Sequence, residues 1–263
     1  MAMNIKNIVK VMNFHALVRV DAAKRRAMKY MQLSDELYGM LDQIMNNRNL
    51  ALDKSIMRPD PKKPPLTIYI GSDYGFCANY NSLVNACLQA DPGEKIVIGK
   101  KLRVPREGLV LRFVKDDFEE NLPRLEQLID RAITERENSS INIVYHRYIN
   151  STTSELEQRQ IYPIDVPAGS RDSYRDDFLV EGDLSEILKG VVLTYVIYQV
   201  ELSNISGYAS ENVMRQNTTQ ESLKKIEERE EEDLMEERRI RRSEEFKKVI
   251  ENYTKKKSGS LGA

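Results

Sequence analysis

The sequence predicts an α/β head, a small and mostly parallel sheet with helices, inserted between long N- and C-terminal helices that pair as an antiparallel coiled coil. Three observations predict it. A 3,4-spaced seam runs through the first 44 residues as Val9, Asn13, Ala16, Val20, Ala23, Ala27, Tyr30, Ser34, Leu37, Leu41 and Ile44. A second seam follows near the other end as Leu188, Val191, Tyr195, Tyr198, Leu202, Ile205, Ala209, Asn212, Gln216, Thr219, Leu223 and Ile226. Between them the hydrophobic period changes to short apolar runs alternating with helical spacing, the pattern of a layered α/β domain.

The first helix is expected from Asn4 to Met57, free of Pro, with Gly39 its first glycine. Ala16, Ala23 and Ala27 let a partner helix come close. "RPDPKKPP" (58–65) ends it by withdrawing backbone donors. Strands are expected at "LTIYI" (66–70), "EKIVIGKK" (94–101), "LVLRFV" (109–114), "INIVYHRYI" (141–149) and "QRQIYPID" (158–165), and helices at 80–90 and 121–138. "DLSE" then reads as a capping box with Asp183 at the cap and Glu186 reaching back. The helix it opens continues to Asn252 without a proline, about 70 residues and roughly 100 Å at 1.5 Å per residue. A helix that long must pack along its span, and the first helix is the partner expected. The organisation expected is therefore 1–57 shaft helix, 58–178 head, 179–254 shaft helix and 255–263 flexible tail.

Composition narrows function. Of 263 residues 31% are charged and 41% hydrophobic, and the net charge is −1, so no overall field draws the chain to nucleic acid or a membrane surface. Residues 1–30 are locally basic, and 221–257 carry 12 acidic and 12 basic residues, the mixture of a solvated helix with (i, i+4) ion pairs. No apolar run reaches the roughly 18–20 residues of a membrane span, and no secretory signal is expected. Cys77 and Cys87, with no CxxC, read as free thiols, and His15 and His146 are the only histidines, so neither a metal nor a cofactor site is expected.

"IGSDYGFCANYN" (70–81) is the segment most like a ligand turn. It lacks the lysine of a P-loop and the third glycine of a dinucleotide turn. A tight strand-to-helix turn, with Gly75 where a side chain would clash, is the simpler reading. Asp73 fits a turn or cap residue better than a lone acid, and Cys77 has no base nearby to activate it. His146 fits a structural histidine and His15 an exposed one. "KRR" (24–26) is either a solvated face or a grip for phosphates or acidic loops. No catalytic centre assembles from these residues.

With the residues set out, the chain resembles the gamma subunit of F-type ATP synthases. "ALVRVDAAK" offers Ala16, Leu17, Val20 and Lys24 to that family's first-helix pattern, and "SDYGFCANYN" offers Ser72, Asp73, Gly75, Cys77, Tyr80 and Asn81 to its turn. "IVIGKK" (96–101) is similar to the next strand, Ser210, Glu211 and Arg215 stand at a C-terminal S-E-x-x-x-R, and "RRIRRSEEF" keeps Arg238 and Glu245. Ala78 replaces a glycine, "QNTTQESLKKI" replaces the run after Arg215, and Arg239 replaces a glutamine. The resemblance implies a central-stalk rotor with no catalytic residue and no cofactor. Its implied partners are the alpha and beta subunits of a catalytic ring, an epsilon-type and a delta-type subunit, and a membrane c-ring. It implies a peripheral position on the ATP-making face of an energy-transducing membrane. Arg19, Lys24, Arg25, Arg26, Asp73, Glu211, Arg215, Arg238 and Glu245 are the interface residues expected. A gamma-like stalk of another hexameric ATPase, a coiled-coil adaptor and a nucleotide-binding regulator are the alternatives.

Overall fold

The computed structural model describes residues 2–47, 50, 53–105, 107–167 and 181–259. Its elements are helix α1 (Ala2–Asn46), strand β1 (Leu66–Ile70), helix α2 (Tyr80–Ala90), strands β2 (Glu94–Ile98) and β3 (Leu109–Phe113), helix α3 (Phe118–Thr134), strands β4 (Ile141–Tyr148) and β5 (Ser154–Tyr162), and helix α4 (Leu184–Gly259). The chain divides into two compact units, Asn13–Thr218 and Met1–Met12 with Thr219–Ala263.

In the larger unit the five strands form one sheet in the order β3-β2-β1-β4-β5, parallel except for the β4–β5 hairpin. All five residues of β1 are buried, which is why its sequence is an unbroken apolar run: helices cover both faces. Tyr69, Val97 and Val144 meet Val84 and Leu88 of α2 on one face. On the other, Ile68, Ile70, Ile96, Ile98, Ile141 and Ile143 meet Leu125, Ile129 and Ile133 of α3, Leu41 and Ile44 of α1, and Leu188, Val192, Val196 and Val200 of α4. Each such aliphatic side chain contributes about 1.5–3 kcal/mol on leaving water.

Within this unit α1 and α4 run antiparallel. Tyr38 faces Tyr195 at 6.1 Å between ring centroids, Tyr30 faces Tyr198 at 5.6 Å, and Ala23 packs on Ile205 and Ala209. The two polar seam residues of the first helix are partnered: Ser34 Oγ accepts from Gln199 Nε2, and Asn13 Nδ2 donates to Gln216 O at 3.0 Å. Buried polar pairs of this kind fix register at some cost in stability. The positions of the second seam are all buried or half-buried, but α4 has a second buried face on the sheet, at Val192, Val196, Val200, Ser203, Gly207 and Ser210. In the smaller unit, Lys6 pairs with Glu230 at 2.6 Å and Glu227 at 3.5 Å.

Four expectations are corrected. Helix α1 ends at Asn46 and not at Met57. Asn46 turns its side chain to Asp42 Oδ1 (2.6 Å) and Pro167 O, a local alternative to helical bonding that asparagine offers. Asp53 then starts a separate 3-10 turn, Lys54–Met57, by accepting from Ser55 N at 2.8 Å. Second, α3 begins at Phe118, ahead of Asn121, directly after a 3-10 turn at Lys115–Asp117. Third, the last strand begins at Ser154, ahead of Gln158, because it pairs antiparallel with the whole of β4. Fourth, α4 passes Asn252 and reaches Gly259; residues 260–263 of the expected tail lie outside the described residues. At its start, Asp183 Oδ1 accepts from Ser185 N at 2.8 Å.

Candidate functional site

Sheet order reverses between β1 and β4. In open α/β sheets the crevice beyond the carboxyl ends of two such strands is the usual ligand site. Here the chain's own helix α4 fills it. Gly207 makes the closest approach: a Cβ there would lie 3.1 Å from the Tyr80 hydroxyl and 3.5 Å from Ile70 Cγ2. Tyr80 donates to Gly207 O at 3.0 Å, Ser210 Oγ to His146 O at 2.8 Å, and Tyr148 N to Ser206 Oγ at 3.0 Å.

The turn after β1 is built to hold this helix. Asn81 braces it by accepting from Ser72 N (3.0 Å) and donating to Ser72 Oγ (2.7 Å), and Ser72 Oγ donates to Tyr74 O at 2.9 Å. Asp73 is buried and ties the ends of three strands together: Oδ1 accepts from Lys100 N at 2.6 Å and Oδ2 from Asp116 N at 2.9 Å. The amides of Ser72, Lys100 and Asp116 are thus spent on the chain's own side chains. A phosphate held here would need such amides.

Charge completes the junction. Lys115, from the turn after β3, sits with its Nζ 3.5 Å from Glu211 and 3.5 Å from Gly71 O, 5.6 Å above the Tyr208 ring. Glu211 is also paired with Arg215 Nη2 at 2.5 Å, while Arg215 Nη1 donates to Asn212 Oδ1 (2.9 Å) and Nε to Gly75 O (3.3 Å). Burial pushes the Lys115 ammonium below its ordinary pKa, against the pull of Glu211. Burial likewise raises the Cys77 thiol, which keeps it protonated and inert.

The nine expected residues therefore fall into three groups. Asp73, Glu211 and Arg215 meet, directly or through Lys115 and the 71–75 turn, at the junction of head and α4. Arg19, Lys24, Arg25 and Arg26 are exposed on α1, Lys24 over the Tyr148 ring at 5.7 Å and Arg26 bonded to Glu119 at 2.7 Å. Arg238 and Glu245 are exposed on α4 in the smaller unit. Lys115 was not among the candidates: "VKDDF" offers no motif, and only its place directly after an apolar strand run hints that it is buried.

Gly75 has open space where a Cβ would go, so it avoids no clash. The left-handed backbone falls instead on Phe76 (φ 60°) and Ala78 (φ 48°). A side chain in that region costs about 1–2 kcal/mol. Ala78 is exposed, so Ala78→Gly is expected to raise stability by about 0.5–1 kcal/mol after the added unfolded-state entropy, read as a higher urea midpoint at unchanged slope.

Among the described residues no group of three or more His, Cys, Asp or Glu could hold a metal ion, and no helix is long and apolar enough to cross a membrane. An α/β head clamped onto a long C-terminal helix that pairs antiparallel with the N-terminal helix defines the class of fold. A family model described as ATP synthase matches residues 1–247, and the chain belongs to that family, among its gamma chains. It is 25% identical over 233 residues to the ATP synthase gamma chain of Mycoplasma mycoides subsp. mycoides, covering 82% of this chain and 81% of that one. It is 26% identical over 211 residues to the gamma chain of Clostridium novyi, covering 73% and 72%. Among solved structures, a chain of the Tetrahymena thermophila mitochondrial ATP synthase central stalk and c-ring has the same fold at TM-score 0.58 and 15% identity, over 82% of this chain and 99% of that one. A chain of the Euglena gracilis mitochondrial ATP synthase, in an assembly of OSCP, F1 and c-ring, matches at TM-score 0.52 and 15% identity, over 94% and 95%.

Proposed function

We propose that this chain is the rotor of a rotary ATP synthase: a non-catalytic gamma subunit that carries torque between a membrane ion-conducting ring and a catalytic ring of alpha and beta subunits. The observation that carries the proposal is the buried junction of Lys115, Glu211 and Arg215 with the 71–75 turn. It seats α4 in the crevice of the head, so a torque applied to the sheet is delivered to the helix through desolvated charge and packed side chains. Exposed contacts would slip more readily, since surface ion pairs are worth only about 0–1 kcal/mol. In this reading α1 and α4 form the shaft, and the head between them meets an epsilon-type subunit and the c-ring. The chain is peripheral, on the face where ATP is made.

Two surface features support the reading. In the smaller unit Met235, Phe246 and Val249 are exposed on one side of α4, Phe246 at 67%; an apolar side left on a helix surface suits cover by a partner. In the larger unit Arg19, Lys24 and Arg25 are exposed basic side chains set around α1, suited to brief contact with acidic loops of a surrounding ring.

The test is the native mass of the complex captured through a tag on this chain from detergent-solubilised membranes. The proposal expects a ring ATPase to come with it. Capture of the chain alone, or with partners that are not ATPase subunits, sinks it. A second expected result concerns these basic side chains. Arg19→Glu with Arg25→Glu changes only exposed residues, so stability stays within about 0.5 kcal/mol, while ATP-driven ion pumping by the complex falls several-fold.

A further inference from the structure

We propose that His146 is a pH-sensitive pin: neutral, it fastens α4 into the crevice of the head, and on protonation it releases that segment of the helix. The inference holds for the chain itself, whatever surrounds it.

His146 stands on β4 beside the crevice and is 1% exposed. Its Nε2 lies 3.0 Å from Tyr80 O. A carbonyl only accepts, so Nε2 carries the hydrogen and Nδ1 holds a bare lone pair. That Nδ1 is buried and has no hydrogen-bond partner among the described residues. The ring stacks on Tyr80 at 4.2 Å and 25°, and the Tyr80 hydroxyl bonds Gly207 O of α4. The His146 carbonyl accepts from Ser210, also of α4. One residue thus ties β4, the start of α2 and a full turn of α4.

Its surroundings disfavour a second proton. Lys115, from the turn before α3, acts on the ring as a like charge, and Tyr80 of α2 stacks on it; Cys77, Glu211 and Arg215 surround Tyr80 in turn, and β5 sets the apolar Leu156 opposite His146. Glu211 is already shared between Lys115 and Arg215. Protonating Nδ1 therefore creates an N–H with no acceptor and adds a second cation within reach of Lys115. The consistent response is for the Tyr80 stack and the Gly207 and Ser210 bonds to open and admit water. Burial holds the imidazole below its ordinary pKa, so the native state binds fewer protons than the opened one, and its stability falls as pH falls below the ordinary histidine value of about 6.5.

The same chain unfolded in urea supplies the reference for His146. Ring-carbon and ring-nitrogen NMR of the full chain between pH 7.5 and 5.5 is expected to show His146 still neutral at the ordinary histidine value of about 6.5. Amide protection at residues 207–211 is expected to fall about tenfold per pH unit below about 6.5, one proton being taken up per opening, while protection at residues 192–200 holds. His146→Gln, which cannot charge, is expected to flatten that slope. Should this variant not fold, the wild-type titration decides alone. The proposal is overturned if His146 titrates in the folded chain as it does in urea, if protection at 207–211 is flat, if 192–200 falls equally, or if the glutamine variant keeps the slope.

Discussion

Replacing Glu211 by alanine is expected to destabilise the full chain by about 3–5 kcal/mol, the cost of leaving partners of a buried ion pair uncompensated. Its side chain is 3% exposed, and those of Lys115 and Arg215 are 7%, so water screens little of the loss. The two stranded cations respond differently. Lys115 already has a lowered pKa through burial and can shed its proton, whereas a guanidinium stays charged. The deficit of Glu211→Ala is therefore expected to shrink as pH rises from 7 toward the ordinary lysine value of about 10.4, since a folded-state pKa below the unfolded one makes stability rise with pH in that window. Adding Lys115→Met is expected to restore part of the loss, and a double-mutant cycle by urea denaturation measures the coupling. A loss below about 1 kcal/mol, in the range of surface pairs, would mean that water enters the junction and that it does not carry torque.

The parts of this arrangement that were legible in the sequence are those set by periodicity. The seams of α1 and α4 and the run of β1 repeat a simple pattern because each faces a single kind of environment over its length. What stayed hidden arises where two environments compete. Val192, Val196 and Val200 form their own stripe beside the seam of Tyr195, Tyr198 and Leu202, and two overlapping stripes blur into a generally apolar helix. Helix α1 keeps its periodicity through Ile44, and the asparagines at 46 and 47 give no sign of which one stops it. The left-handed residues at Phe76 and Ala78 were hidden because Gly75, a residue away, is the natural suspect. Lys115 was hidden for a different reason: its burial depends on Glu211, 96 residues on, and no local pattern encodes a pair at that distance. Glu211 and Arg215 were reached only through a resemblance, and the residues that complete their surroundings, Lys115, His146 and Gly207, needed the fold.

Ala23→Asp is expected to be at least as damaging, at about 4 kcal/mol or more, because it buries an unpaired charge between two helices. Ala23 is 5% exposed and packs on Ile205 and Ala209, with Tyr148 and Tyr208 beside them. Aspartate is too short to carry its carboxylate out to solvent, whereas lysine at the same position snorkels along its stem. Ala23→Lys should therefore cost clearly less than Ala23→Asp, despite its greater bulk, and Ala23→Leu should fall in the overpacking range of about 1–3 kcal/mol. That ranking separates a tight, dry seam from a merely adjacent pair of helices, for which the three substitutions would differ little. The pH response adds a second check. A carboxyl buried without a partner has a raised pKa, so Ala23→Asp regains stability on acidification, when the group becomes neutral. The His146 pin acts in the opposite direction, its segment loosening as pH falls. A chain carrying the Ala23→Asp substitution is thus expected to gain global stability from pH 7 to 5.5 while losing amide protection at residues 207–211. Helix pairing and head-to-helix clamping are then two separately adjustable contacts of α4, and a rotor needs both: the first to keep the shaft together and the second to turn it.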